Sequence, residues 1–309
     1  MITVESFAEI PARVRGAYLA IGNFDGVHRG HSLLILRLRA RADAAGTRAV
    51  ALTFNPHPVA LLRPEAASVP LGWTERNIML LEQAGAHEVG VFRTGPWLLG
   101  LTAREFFDRV IVGQFGARGM VEGQNFQFGR DRGGNTALLA QWCDSAGLDF
   151  EVVQPIQFEG QVVSSSRIRR CLVEGRAEEA ARMLGRPHRI RGRVTHGAGR
   201  GAGLGFPTIN LEGIDTLIPA DGVYAAHAFL DGAGPPLPAA CHIGPNVTFG
   251  EQVRKVEAHV LDFEGDLYGR MVELDILQQI RPTRKFAGRD DLLAQIRSDI
   301  ERTRAVCQD

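Results

Sequence analysis

Residues Gly22-Asn23-Phe24-Asp25-Gly26-Val27-His28-Arg29-Gly30-His31 join an apolar run, Ala17-Tyr18-Leu19-Ala20-Ile21, to Ser32–Ala40, which has the length and flanks of a helix. A buried strand that turns sharply into a helix commits this part of the chain to an α/β architecture. Glycines at such a turn let the backbone approach a ligand closely. The helix start adds unpaired N–H groups and a positive dipole end, which suit phosphate. His28 and His31 lie three positions apart and share one face of that first turn. The stretch therefore reads as an anion site with two imidazoles aimed at it. Two plainer readings compete: a metal pair, or two ordinary polar residues. A zinc pair on a helix more often takes the spacing His-Glu-x-x-His, and here no cysteine lies near and no third ligand is evident.

Composition narrows the class. A length of 309 residues fits two domains of ordinary size, and an apolar fraction of 45% can bury a core. The net charge of zero excludes a generic binder of nucleic acid or anionic membrane. No apolar run reaches membrane-spanning length and the first residues lack the pattern of a signal peptide, so a cytoplasmic enzyme acting on small molecules is expected, of undetermined oligomeric state. Cys143, Cys171, Cys241 and Cys307 are scattered without metal spacing, as in a reduced compartment. The lysines are Lys255 and Lys285, so phosphate contacts in the first half fall to His, Arg and backbone amides. No Gly-x-x-x-x-Gly-Lys-[Ser/Thr] loop occurs, which excludes a standard P-loop.

Through the first half strands and helices alternate. Arg48–Phe54 reads as a strand stopped by Asn55-Pro56-His57-Pro58. Thr74–Ala84 follows as a helix with Thr74 as N-cap, then strand His87–Phe92 and helix Ala103–Phe115. Strand Arg118–Glu122, helix Thr136–Ala146 and strand Phe150–Val153 complete the series. This order predicts a mostly parallel, Rossmann-like sheet with helices on both faces. Ligands of such sheets sit beyond the carboxyl ends of the strands, where His28, His57 and Asn125 fall.

Two further segments fit a nucleotide site. Val121–Asn135 is rich in glycine and arginine and holds two aromatics, though a plain surface loop would look the same. Ser164-Ser165-Ser166-Arg167-Ile168-Arg169-Arg170 reads either as a helix N-cap or as hydroxyls and guanidinium forks for phosphate oxygens.

The second half changes character. Ile190–Thr195, Gly222–Phe229, Lys255–Phe263 and Met271–Ile280 are short strand-like runs broken by turn residues, which points to a small antiparallel β-barrel. A closing amphipathic helix spans Arg289–Thr303, with Leu292, Leu293, Ile296 and Ile300 on one face. Glycines crowd the stretch from Gly197 through Gly201 and Gly205, which then becomes Phe206-Pro207-Thr208-Ile209-Asn210-Leu211. A linker would need no such ordered ending. The loop offers amides to phosphates, and the oxygens of Thr208 and Asn210 suit Mg²⁺.

Taken in order, Gly-Asn-Phe-Asp-Gly-Val-His-Arg-Gly-His, Thr-Phe-Asn-Pro-His-Pro, Gly-Gln-Asn-Phe-Gln-Phe-Gly and Ser-Ser-Ser-Arg-Ile-Arg resemble the N-terminal module of prokaryotic bifunctional riboflavin kinase/FAD synthetases. The Gly-rich loop with Phe206-Pro207-Thr208-Ile209-Asn210, and Val256–Phe263 followed by Asp266-Leu267-Tyr268-Gly269, resemble the kinase domain of the same family. The resemblance implies an FMN adenylyltransferase domain over 1–184 and a riboflavin kinase domain over 185–309, with ATP as co-substrate and riboflavin, FMN and FAD as substrates or products. His28 and His31 would then stabilise the phosphorus under attack and the leaving pyrophosphate. Gly22, Asn23, Phe24, Asp25, Gly26, Gly30, His57, Asn125, Ser164, Ser165 and Arg167 would bind nucleotide and phosphate, as would Gly197, Gly201 and Gly205 in the kinase. Thr208 and Asn210 would hold magnesium, and Glu257 would be the general base; alone, Glu257 would read as an exposed residue of an edge strand. The family's usual proline is replaced by Val247, which frees a loop dihedral. That substitution motivates the alternative of a single-activity FAD synthetase with an inactive, flavin-binding barrel. A nucleotidyltransferase for another acceptor and a flavin-binding regulator without turnover are the other readings.

Overall fold

A computed structural model describes residues 1–7, 10–197, 200–230, 233–245 and 252–308. The apolar runs of the first half form six parallel strands: β1 (Ile2–Val4), β2 (Tyr18–Ile21), β3 (Ala49–Asn55), β4 (Glu88–Arg93), β5 (Gly119–Gly123) and β6 (Asp149–Val153). Their spatial order is β1-β4-β3-β2-β5-β6, every neighbouring pair parallel. All residues of β2 are buried because helices cover both faces of the sheet. Alternate side chains divide between two cores. Leu19, Ile21, Val50 and Leu52 join one, whereas Tyr18, Ala20, Ala49 and Ala51 join the other. The second core also takes Leu34, Ile35, Leu38 and Ala42, the apolar stripe of α1 (Arg29–Ala44).

From β2 the chain lays β3 and β4 to one side, then β5 and β6 to the other. The order reverses between β2 and β5, and that reversal opens the ligand crevice of a doubly wound sheet at their carboxyl ends. Short helix α2 (Pro58–Leu62) follows β3, α3 (Thr74–Gln83) precedes β4, and α4 (Thr136–Ala146) lies between β5 and β6. Boundaries shift by a few residues from expectation. Helix α1 starts at Arg29 because His28 caps it, and Thr74 is the first residue of α3. The segment expected as one helix over 103–115 starts with a Thr102–Glu105 capping box and widens into a π-helix over Phe106–Gln114.

By packing, Met1–Ser68 and Thr74–Val163 form one unit, and Val69–Trp73 with Ser164–Asp309 form the other. The second unit opens with α5 (Ser165–Val173) and α6 (Ala177–Leu184). Its six antiparallel strands are β7 (His188–Thr195), β8 (Ile209–Glu212), β9 (Gly222–Leu230), β10 (Ala233–Gly244), β11 (Lys255–Val260) and β12 (Met271–Arg281). They close as a barrel in the order β7-β8-β11-β10-β9-β12, sealed by the pairing of β12 with β7. Ile190, Val194, Val256, Ala258, Val260 and Leu274 are among the residues that fill it. Strand β10 was not foreseen: Pro235, Pro236 and Pro238 cannot donate to a ladder and hide it in the sequence.

Helix α7 (Arg289–Gln308) ends the chain and runs beyond the expected Thr303. Its buried residues are Asp299 and Thr303, while Leu292, Leu293, Ile296 and Ile300 are only half-buried. Asp299 accepts two hydrogen bonds from Arg281 Nε at 3.1 and 2.9 Å, and the Thr303 hydroxyl donates to the Asp299 carbonyl at 2.8 Å. A buried ion pair therefore anchors the helix at the centre of its contact.

Candidate active sites

The turn after β2 is held in an unusual backbone. Phe24, Gly26 and Val27 have φ of 44°, 75° and 38°, in the left-handed region that a β-branched residue rarely enters. Burial of the Phe24 and Val27 side chains, at 2% and 1% exposure, holds the turn in place. Gly22 N–H donates to the Leu52 carbonyl at 3.0 Å, and the Thr53 hydroxyl donates to the Asn23 carbonyl at 3.1 Å. His28 is the N-cap of α1, and its Nδ1 accepts the backbone N–H of His31 at 3.3 Å. An accepting Nδ1 leaves the ring proton on Nε2. The two imidazoles stack with centroids 3.7 Å apart, and the Phe24 ring meets His31 edge-on at 5.3 Å. Around them Asn23 is exposed, Asp25 half-buried, and Gly30 sits in the first turn of the helix.

His57 follows β3 and caps α2, its Nδ1 accepting from Val59 N–H at 3.0 Å. Asn125 follows β5 and is exposed. Strands β3, β2 and β5 are neighbours, so the fold brings His57, the His28–His31 pair and Asn125 to one edge of the sheet. Phe126 and Phe128 stack at 5.3 Å in the loop that continues from Asn125. Ser164, Ser165 and Arg167 belong to the second unit by packing. There Ser164 caps α5 by accepting Arg167 N–H at 3.3 Å, and the Arg167 guanidinium donates to Glu179 at 3.1 Å.

Sequence reasoning passed over Glu122. It lies near the end of β5 at 1% exposure, and its carboxyl accepts Ile21 N–H at 2.8 Å, one residue before the glycine-rich turn. Burial pushes this carboxyl well above the ordinary carboxylate range, with the Ile21 hydrogen bond opposing. The β2–β5 ladder pairs Tyr18 with Gly119 and Leu19 with Met120. Beyond that, Glu122 provides Ile21 with an acceptor where the strands part. One acidic residue inside a buried strand was the available signal.

In the barrel, two glycines sit at close approaches. A Cβ on Gly197 would fall 2.1 Å from Asn210 Nδ2. One on Gly201 would fall 2.5 Å from the Phe206 carbonyl and 3.0 Å from Thr208 Oγ1. Both glycines thus leave room around the two oxygen donors expected to hold a cation. Gly205 takes φ of 86° in the same loop. Thr208 is exposed just ahead of β8, and Asn210 lies within it.

Register then assembles a polar row. Thr195 of β7 pairs with Asn210 of β8, Asn210 with Glu257 of β11, and Glu257 with His242 of β10. The intervening Val194, Leu211, Val256, Ala258, Cys241 and Ile243 fill the barrel core, so the row faces the other way. All four polar residues are half-buried. Thr195 Oγ1 and His242 Nδ1 are buried atoms without a hydrogen-bond partner among the described residues. Burial moves the His242 pKa below its ordinary value; Arg281 acts in the same direction, and Glu257 and Asp221 oppose it. Neither Thr195 nor His242 stood out in the sequence. Val247 lies outside the described residues.

Comparison with known proteins adds an independent line. The FAD synthetase family model matches residues 10–167 and the riboflavin kinase family model residues 184–307. A bifunctional riboflavin kinase/FMN adenylyltransferase of Pseudomonas fluorescens is 35% identical over 292 residues, covering 94% of this chain and 93% of that protein. The protein of the same name from Escherichia coli K12 is 33% identical over 285 residues, covering 92% and 90%. Among solved structures, a Streptococcus pneumoniae chain described as a macrolide-efflux protein aligns with a TM-score of 0.87 at 30% identity, over 98% of this chain and 99% of that one. Among the described residues no helix is long and apolar enough to cross a membrane.

Proposed function

The chain belongs to the bifunctional riboflavin kinase/FMN adenylyltransferase family, with both halves of that family present, and from this premise we propose how its residues share the two reactions. The barrel phosphorylates riboflavin with ATP, and the parallel-sheet half adenylylates FMN with a second ATP. Carrying this reading is that each family match holds its own group of motif residues, those of the β2–β5 crevice in one and those on the barrel in the other. We place the functional division at 184/185, at the start of the riboflavin kinase match.

In the kinase reaction the riboflavin 5′-hydroxyl oxygen attacks the γ-phosphorus of ATP. The new O–P bond forms as the bridge to the β-phosphate breaks, and ADP leaves. Glu257 takes the hydroxyl proton, a role for which a carboxylate is suited. Thr208 and Asn210 fit Mg²⁺ by donor chemistry, being neutral oxygen ligands, and the space that Gly197 and Gly201 preserve around them supports this. When bound, that ion neutralises charge on the transferring phosphate. Gly197, Gly201 and Gly205 shape the loop that receives the phosphates. With Thr208, Asn210 and Glu257 all in place, the single-activity alternative is not favoured.

In the adenylyl transfer an FMN phosphate oxygen attacks the α-phosphorus of ATP, the α–β bridge breaks and pyrophosphate leaves. No covalent enzyme intermediate is needed, so catalysis is positioning and charge stabilisation. His28 and His31 donate to the phosphorus oxygens and the leaving group. Gly22, Asn23, Phe24, Asp25, Gly26 and Gly30 form the turn that accepts the nucleotide, and His57 and Asn125 complete its rim. Ser164, Ser165 and Arg167 are assigned to phosphate binding as well. Free cysteines at all four positions support a reducing, cytoplasmic setting.

Crossed variants test the assignment. With ATP and Mg²⁺, His28→Ala is expected to lower FAD formation from FMN by roughly 10²-fold or more while FMN formation from riboflavin continues. Glu257→Gln is expected to do the reverse. Chromatography of the flavin products reads both, and equal loss of both activities in either folded variant would refute separate sites.

A further inference from the structure

We infer that His242 is a positioning residue of the kinase site, its imidazole holding the Glu257 carboxylate in the orientation that receives the substrate proton. This rests on the reading of Glu257 as general base. The geometry is that of a direct cross-strand pair: His242 and Glu257 are opposed in the β10–β11 ladder, so their side chains share one face with Cβ atoms roughly 5 Å apart. On its other flank Glu257 is opposed by Asn210. The carboxylate therefore stands between an amide proposed to hold the metal and an imidazole outside the motifs that carry the resemblance.

Chemistry favours the pairing. His242 Nδ1 is buried and has no hydrogen-bond partner among the described residues, a condition folded proteins rarely leave uncorrected. Its other cross-strand neighbour is Val223, which brings no polar side chain. Of the charged groups acting on the ring, Arg281 and the burial itself favour the neutral form, and Asp221 and Glu257 oppose them. A neutral imidazole carries one N–H donor, and a carboxylate is the strongest acceptor available to it.

The test uses the full-length protein and three variants: His242→Leu, His242→Asn and His242→Gln. Asparagine restores a nitrogen near the Nδ1 position, whereas glutamine places one near Nε2. Initial rates of FMN formation are measured over ranges of riboflavin and ATP, with FAD formation from FMN as the control for folding. His242→Leu is expected to lower kinase kcat by roughly 10- to 100-fold, the usual size for loss of a partner that orients a reacting group. Both KM values and FAD formation stay unchanged, and His242→Asn recovers most of the rate where His242→Gln does not. Parent-like kcat in His242→Leu overturns the inference, as does a raised KM at unchanged kcat. If His242→Leu also loses FAD formation, the amide pair decides: Asn above Gln supports the inference, and equal rates overturn it. Glu257→Gln, assayed alongside, separates the two levels. An inactive Glu257→Gln beside an unaffected His242→Leu removes only the role of His242, whereas an active Glu257→Gln removes the base and the inference together.

Discussion

Single residues in the site proposed for the kinase reaction are set by contact distance. At Gly197 the Asn210 amide occupies the place a Cβ would take, and Gly201 is glycine because the Phe206 carbonyl and Thr208 hydroxyl crowd it. Gly197→Ala is therefore expected to turn the Asn210 amide away and to lower kinase kcat by about 10²-fold, with FAD formation intact; steady-state rates of both reactions check this. Such glycines were visible in the sequence as a dense run beside Pro-Thr-Ile-Asn. So were His28 and His31, since an N-cap and its first turn are local in the chain. Glu122 and His242 were not visible. Each matters through a neighbour distant in the chain, Ile21 for one and Glu257 for the other.

Elements depart from the sequence reading where polar groups, not apolar stripes, decide the contact. Periodicity in α7 singled out Leu292, Leu293, Ile296 and Ile300, yet the helix is centred on Asp299 and Thr303. Asp299 is 3% exposed and its partner Arg281 has a side chain 15% exposed, so neither charge is well hydrated. Removing the carboxylate leaves the guanidinium of β12 without its ion-pair partner. Asp299→Ala is expected to cost about 3 kcal/mol, the scale for breaking a buried pair from one side; thermal or urea unfolding followed by circular dichroism checks it. Strand β10 shows the complementary case. Its prolines read as a breaker, but most of its ladder, from Ala239 to Gly244, runs past them and pairs with β11. With β10 unseen, His242 had no strand and no partner.

At the scale of the whole molecule, acid acts on an ion pair that belongs to the first packing unit. Glu88 at the head of β4 is 7% exposed, and hydrogen bonding from Arg13, helped by the Met1 ammonium, holds its pKa down at about 2. A carboxyl below its ordinary value of 4.5 stabilises the fold fully above that pH, and the contribution disappears as pH falls toward about 2. Acid titration of unfolding is thus expected to show Glu88→Gln less stable than the parent above pH 4.5, with the difference closing near pH 2; a constant difference would exclude the linkage. The sequence by itself determined the order of strands and helices, the fold class, and the contiguous loops proposed to meet phosphate, because strand burial, capping and turn chemistry act over a few residues. Tertiary structure alone decided that Thr195, Asn210, Glu257 and His242 stand in one row, that Glu122 lies under the mouth of the β2 turn, and that Asp299 finds Arg281. Those neighbours are set by register and barrel closure, which join residues far apart in the chain and leave no periodic trace in it.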